Sequence, residues 1–428
     1  MSDTRSWRPT YAFARAAVGA VVLVAGALIW RRPDLLVIAT PFVVVTGWSV
    51  ACRPGRAPAF VDRLGHHTLR EGDATSWRGT VRARGYGPPD GRTEGTGELD
   101  FAVASIDDAP WVESNPAHGV VTASAVRGAA DLEIGLRSTR WGTRSIQRVR
   151  VTAAGPWASF RWSTTTIQHP MTTLPLPPLF DVGAAARPAD GLIGLHRSAR
   201  AGEGNEFASI RPFRAGDRLR RINWTRSARS DVLQVNSTWA DLDTHIALIV
   251  DATDDFGVSE GIDGRASSLD GAVRAAGAIA EHYAPRGERV SLRILGTSTA
   301  SSVEPGTGRP QLRRILDTLA RVRPPNQGRG ASRLQVGRLP RGAGDQITVM
   351  LSPLIAPEVL DLAVALGRQG TTVIVVDTLP DHVATDTDQI TALAWRIRLL
   401  ERRREVRLVQ AAGIPVVQWR GPGSLDQV

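Results

Sequence analysis

The sequence predicts an open, mostly parallel α/β sheet in its C-terminal part, a β-sandwich-like domain before it, and a two-helix transmembrane hairpin at its start. Three observations carry this reading. Two long apolar runs stand within residues 12–52. Residues 58–180 hold short segments that alternate apolar and polar with a period near two, separated by turn clusters. Residues 241–423 alternate continuous apolar runs with amphipathic helical stripes. Between the last two regions, residues 190–240 form a dense mixture of charges, aromatics and turn residues.

Each apolar run, 12–30 and 35–52, is close to the roughly 20 residues that cross a bilayer. Arg31-Arg-Pro-Asp34 separates them, which predicts a tight hairpin. Trp30 and Trp48 fall near the run ends, where interfacial aromatics belong. Arg5, Arg8, Arg15, Arg53, Arg56 and Arg63 flank the hairpin, against Arg31 and Arg32 in its turn, so the positive-inside rule puts both termini in the cytoplasm. The expectation is a multi-pass protein of the cell membrane with its soluble parts on the cytoplasmic side. A cleaved signal peptide does not fit, because a second span follows at once. A buried soluble hairpin is the alternative.

In the next region, strands are predicted at Trp77-Arg-Gly-Thr-Val-Arg-Ala-Arg84, Leu99-Asp-Phe-Ala-Val103, Asp131-Leu-Glu-Ile-Gly-Leu136, Ile146-Gln-Arg-Val-Arg-Val151 and Ala158-Ser-Phe-Arg-Trp162. Such short, evenly spaced strands argue a sandwich. In the C-terminal region, His245-Ile-Ala-Leu-Ile-Val250 reads as a strand covered on both faces. Further strands are predicted at 290–295, 347–351, 371–376 and 414–419, with helices over 269–283, 311–322, 357–367 and 389–409. The last helix carries Arg396, Arg398, Arg402, Arg403, Arg404 and Arg407, with Ile390, Leu393, Ile397 and Leu400 as its expected buried stripe. Its Arg face reads as solvated, or as contact with acidic lipid or a partner protein.

The 428 residues carry a formal net charge of +10 and no Lys. A basic balance admits nucleic acid or anionic lipid as partners, but no stacking platform or nucleic-acid module accompanies it, so nucleic-acid binding is not expected. Cys52 is the only cysteine, which excludes an internal disulfide. No glycine fingerprint for phosphate follows a strand, and the His residues are scattered without ligand spacing.

The stretch on which the chain centres runs from Gly202-Glu-Gly-Asn-Glu-Phe207 through Ile210-Arg-Pro-Phe-Arg-Ala-Gly-Asp217 to Arg220-Arg-Ile-Asn-Trp224 and Ser227-Ala-Arg229. No helical or strand period runs through it. Ala215-Gly216-Asp217 is turn chemistry. Asp217 lies among Arg211, Arg214, Arg218, Arg220 and Arg221, whose planar forks bind carboxylates bidentately. Two readings stand side by side: a structural clasp, and a docking surface for another protein.

At these residues the chain resembles the bacterial "domain of unknown function 58" family. Its pattern G-x-E-F-x-x-x-R-x-[YF]-x-x-G-D-x-x-R-x-I-x-W-x-x-[ST]-A-R reads Gly204, Glu206, Phe207, Arg211, Phe213, Gly216, Asp217, Arg220, Ile222, Trp224, Ser227, Ala228 and Arg229. Arg140-Trp-Gly142 and Gly155-Pro-Trp-Ala-Ser-Phe160 are similar to the family's R-R-G and D-P-F-G-L-F segments, with Trp141 and Gly155 as departures. The resemblance implies a membrane anchor, a β-rich domain and a von Willebrand factor A-like α/β domain. It also implies a MoxR-type AAA+ ATPase as partner. Domains of that type bind Mg²⁺ through a D-x-S-x-S strand end, where Asp251, Thr253 and Asp255 stand in this chain. Asp255 replaces a Ser, and Pro353 stands where a further Asp would be expected, so the set is degenerate; solvated strand-end carboxylates are the other reading. Ser332 could stand in for the Thr of a second loop, unless Ala331, which carries no ligand, falls at that position.

Together these residues predict a non-enzymatic, membrane-anchored adaptor that binds proteins, with an ATPase, in assembly or maturation of an envelope or redox complex. The rivals are a metal-dependent hydrolase using Asp251, Asp255 and a nearby His, and an Arg-rich lipid- or nucleic-acid-binding protein.

Overall fold

The computed structural model describes residues 6–54, 56–83, 99–146, 148–166, 168–176, 201–214, 217, 219–230, 232–239, 245–296, 301–323, 346–381, 383 and 389–420. The chain divides into two compact units, Met1–Leu174 and Pro175–Val428.

The first unit opens with strand β1 (Arg8–Pro9), helix α1 (Tyr11–Trp30) and helix α2 (Asp34–Ala51). Thr10 caps α1 by accepting the Phe13 N–H at 3.3 Å, and Arg31 ends it in the left-handed region. Val18, Val21, Leu28, Ile29, Val37, Ile38 and Val44 are exposed around the pair. Both helices are long and apolar enough to cross a membrane. Apolar residues exposed all round suit hydrocarbon, where water-facing polar stripes are not needed.

Eleven further strands follow: β2 (Ala59–Leu64), β3 (Thr68–Arg70), β4 (Ala74–Arg82), β5 (Phe101–Ile106), β6 (Val112–Asn115), β7 (Val120–Ser124), β8 (Ala129–Ser138), β9 (Gly142–Ile146), β10 (Val149–Ala154), β11 (Phe160–Thr165) and β12 (His169–Leu174). They form a five-stranded sheet β1-β11-β10-β5-β7, a four-stranded sheet β2-β4-β8-β6 and a three-stranded sheet β3-β12-β9. In β4 the side chains of Thr75, Trp77 and Val81 are buried while Ala74, Arg78 and Arg82 are exposed, the two-residue period of a half-buried strand. Trp77, Val81, Ile134 and Leu136 of the four-stranded sheet share one core with Ala102, Val149, Val151 and Trp162 of the five-stranded sheet. Two antiparallel sheets closed on one core are what the alternating segments predict.

The spans are seated on this domain. The Thr10 amide donates to Ser159 O at 2.9 Å, its hydroxyl donates to Ala158 O at 3.0 Å, and Ser49 Oγ lies 2.6 Å from Ser159 Oγ. Phe13 packs on Phe160 with ring centres 5.3 Å apart. A Cβ on Gly155 would stand 3.0 Å from Pro54 Cγ and 3.6 Å from the Trp7 ring. That crowding leaves little room for the Asp of the family pattern at this position. Trp141, the other departure, is buried, and the Arg140 guanidinium lies 5.5 Å from its ring centre and 5.1 Å from that of Trp111.

In the second unit, β13 (Ala201–Pro212), the one-turn helix α3 (Trp224–Ser227) and β14 (Gln234–Trp239) precede the α/β part. That part runs β15 (His245–Asp251), α4 (Ser268–Tyr283), β16 (Arg289–Leu295), β17 (Ser301–Gly306), α5 (Gly308–Leu319), β18 (Gln346–Ser352), α6 (Pro357–Arg368), β19 (Thr372–Asp377), α7 (Gln389–Ala411) and β20 (Val416–Gln418). The sheet order is β17-β16-β15-β18-β19-β20. All its pairs are parallel except β16–β17. The central strands are apolar throughout because helices cover both faces. In α4 the anticipated stripe of Leu269, Val273, Ala276, Ile279 and Ala280 is buried, and Ser267 with Asp270 forms a reciprocal capping box. The antiparallel edge strand β17 was not anticipated, since Ser-Ser-Val-Glu-Pro-Gly reads as a turn.

Helix α7 lies the other way round from the sequence expectation. Ile390, Leu393, Ile397 and Leu400, expected inside, are 77%, 58%, 50% and 61% exposed. The face turned inward carries Trp395, Arg398, Arg402, Val406 and Val409. Trp395 stacks on Phe256 with ring centres 5.5 Å apart. Arg398 donates through Nε and Nη2 to Ile355 O, and Arg402 Nε donates to Pro353 O at 2.9 Å. Two Arg residues thus reach carbonyls of the loop after β18, and their aliphatic stems supply the packing that the Leu and Ile residues do not.

Candidate functional site

The central motif folds as a hairpin. β13 pairs with β14 antiparallel, with register shifts between Gly202 and Phe207 and between Phe207 and Ser209. Those irregularities break the two-residue period, which is why no strand was legible there. Ile222, 7% exposed, forms an isolated bridge with Val235, 2% exposed, and pins the connecting segment to β14.

Asp217 is the hub of that connection. Its Oδ2 accepts Arg211 Nη1 at 2.8 Å and its Oδ1 accepts Arg211 Nη2 at 2.6 Å. The Arg214 amide adds a third bond to Oδ2 at 2.8 Å. The fork is bidentate and ties strand β13 to the turn that follows it. The Arg211 bonds, and then the Arg214 amide, hold the Asp217 carboxyl below the usual carboxylate range. Asn223 caps α3 by accepting the Arg226 amide at 3.1 Å, and its Nδ2 donates to Asn236 Oδ1 at 3.0 Å. Ser227 Oγ donates to Asn223 O and accepts the Gln234 amide, each at 2.8 Å. Asn223 and Ser227 therefore close the hairpin, a task the motif's spacing does not reveal.

The remaining motif residues divide cleanly. Arg220, Trp224 and Arg229 are exposed, Trp224 by 66%, beside Leu219 at 70%. Glu206 and Phe207 lie in β13, and Phe207 is placed opposite Thr238. Gly216 lies outside the described residues.

Residues 209–387 match the family model described as "Protein of unknown function DUF58". This part of the chain belongs to the family. The match begins inside the DUF58 motif and runs through most of the α/β part. No curated protein matches the chain. Among solved structures it is similar to one described as the S-layer protein SbsC domains 4 and 5, at 10% identity and a TM-score of 0.15. That alignment covers 27% of this chain and 53% of the other, so the chain spans about half the length of that structure.

The second set of residues stands at the carboxyl ends of the DUF58 sheet, where open α/β sheets gather ligands. Asp251 ends β15 and is buried. Its Oδ1 accepts the Thr253 amide at 3.0 Å and the Thr253 hydroxyl at 2.6 Å. Its Oδ2 accepts Ser352 Oγ, from the end of β18, at 2.6 Å. Each oxygen thus accepts at least one donor of the protein. Asp255 is engaged elsewhere: its Oδ1 accepts the Leu269 amide at 3.0 Å and Ser268 Oγ at 3.3 Å, at the start of α4. A carboxylate there complements the free amides and the positive end of the helix. At Asp254, burial first, then the Asp251 charge, push the carboxyl above the ordinary value.

Magnesium would need several hard oxygens converging on one point. In this arrangement the Thr253 and Ser352 hydroxyls are directed at Asp251, and Asp255 at α4. Among the described residues no group of three or more His, Cys, Asp or Glu is gathered for a metal. Of the set that the family resemblance implies, Thr253 stands with Asp251 beside Ser352, while Asp255 bonds to the start of α4. Ser332 and Ala331 lie outside the described residues.

Sequence reasoning missed the third strand end. Asp377 closes β19, pairs with Arg402 of α7, and accepts the Leu379 amide at 3.0 Å. The two side chains are 11% and 16% exposed, Arg402 being the more deeply buried. Burial pushes the Asp377 carboxyl up, and Arg402 opposes that shift. The available signal was the Asp at the end of an apolar run, the same signal that singled out Asp251.

Proposed function

We propose that this DUF58 chain is a non-enzymatic, membrane-anchored adaptor whose motif hairpin is a protein-docking surface. The observation that carries the reading is the division within the motif. Arg211, Asp217, Asn223 and Ser227 are consumed in holding the hairpin together. Trp224, Arg220, Arg229 and Leu219 are left exposed on it. Trp and Arg are the side chains most enriched among residues that dominate binding energy at interfaces. A hydrogen-bonded clasp and exposed side chains thus stand in the same element, which supports reading the motif as both clasp and docking surface.

The parallel sheet with helices alternating along it supports a von Willebrand A-like reading of the α/β part. The family resemblance makes a MoxR-type AAA+ ATPase the first candidate partner. The two apolar helices hold the chain as a multi-pass protein, with its termini and soluble parts on the cytoplasmic side. A reporter active only outside the cytoplasm, fused after Val428, stays silent in that topology; strong activity would reverse it.

Affinity capture of the intact chain from its native membrane tests the docking surface. Trp224→Ala combined with Arg229→Ala should reduce recovery of the co-purifying ATPase by roughly 30-fold or more, the effect of truncating one dominant interface residue at about 2 kcal/mol. Unchanged recovery would sink the proposed surface, and capture without any ATPase would sink the partner assignment.

A further inference from the structure

We propose that the outer face of α7 is a lipid-contact face that rests on an anionic membrane surface. Along this helix Ile390, Leu393, Ile397, Leu400 and Leu408 project outward, each at least half exposed. Their spacing of three, four and three residues from Ile390 to Leu400 keeps them on one side of the helix. Arg404 lies within the same stripe, and Arg396, Arg403 and Arg407 border it on one edge; all four are exposed. Glu401 is the one exposed acid of the helix. Apolar residues beside an Arg border are the composition of a helix lying in the interface plane of an anionic bilayer.

The opposite side of α7 is already committed. Trp395 stacks on Phe256, Arg398 and Arg402 reach the Ile355 and Pro353 carbonyls, and Val409 is buried in the core. The helix is therefore fixed to the domain and offers its crest outward. A second copy of the helix does not suit that crest, because pairing would bring the Arg404 and Arg407 charges against like charges. Anionic headgroups supply the missing opposite charge along its whole length. The chain also carries two helices able to cross a membrane, so a lipid surface is available to it at high effective concentration.

The test uses the full chain reconstituted in vesicles of phosphatidylcholine alone or with phosphatidylglycerol. Because Cys52 is the only cysteine, a Cys52→Ser background allows one environment-sensitive label at Ile397→Cys, with Leu393→Cys as a second position in case the first fails to fold. The expected result is several-fold stronger quenching by brominated lipid in anionic than in neutral vesicles, falling as salt rises. Combined Arg396→Glu, Arg403→Glu and Arg407→Glu should abolish the difference. A control label at Arg314→Cys, exposed on α5, should stay wet in both. Three results overturn the proposal. One is equal quenching in the two vesicle types. Another is shielding without lipid quenching, as a second copy would give. The last is a label that stays wet until soluble cell extract is added, as an acidic protein partner would give. Labelling the native Cys52 reports separately on insertion of the spans, so failure of the anchor and failure at α7 remain distinguishable.

Discussion

Arg402→Met costs the second unit about 3–5 kcal/mol, because it strands the Asp377 carboxylate in a site built for a pair. The guanidinium and the carboxylate are 11% and 16% exposed, so solvent screens the loss little. Methionine fills similar space and removes both the charge and the bond to Pro353 O. At two to four degrees per kcal/mol for a domain of this size, the melting temperature should fall by roughly 6–20 °C.

The pH dependence distinguishes this cause from lost packing. Burial already raises the Asp377 carboxyl in the folded state, with Arg402 pulling it back down. Raised folded affinity for a proton means stability falls as pH rises from the unfolded value, about 3.9, through the folded one. Without Arg402 the folded value climbs further, so the mutant's deficit is largest at neutral pH and shrinks as pH drops toward 4. Asp377→Asn in the mutant background should recover much of the loss at neutral pH. Chemical unfolding at several pH values decides the matter: a deficit under about 1 kcal/mol, or one that does not change with pH, would show that the pair is not what holds α7 over the strand ends.

Asp217→Ala has the largest expected effect on the motif. It removes the bidentate partner of Arg211 and the acceptor of the Arg214 amide together. Amide exchange across β13 and β14 should accelerate several-fold, and recovery of the docking partner should fall with it. Arg226→Ala, exposed at a position the family pattern leaves open, should change neither. Because the folded carboxyl sits below its ordinary value, the clasp's contribution is complete above the unfolded value, about 3.9. It fades only as pH falls through the lowered folded value, where mutant and wild type converge. A mutant with unchanged exchange that nonetheless loses its partner would make Asp217 a contact residue and not a clasp.

Elements whose burial is uniform were legible from residue order alone. The strands β15, β18 and β19 are apolar along their length because both faces are covered, and α4 shows its stripe because one face is. The two N-terminal helices declare themselves by length and composition. The DUF58 match takes in the motif read from fixed spacings from Arg211 onward.

What the sequence could not decide was where long polar side chains end. Local order cannot say that Asp255 turns to the amides of α4 and Thr253 to Asp251, since both sit at one strand end with the same oxygen chemistry. It also cannot say which face of α7 is the inner one. The apolar stripe looks like the core side, yet Arg398 and Arg402 find carbonyls and a buried carboxylate at strand ends far away in sequence. Hydrophobic periodicity ranks faces by their average affinity for water. A few charge-assisted bonds to distant partners outweigh that average, and only the tertiary structure brings those partners together.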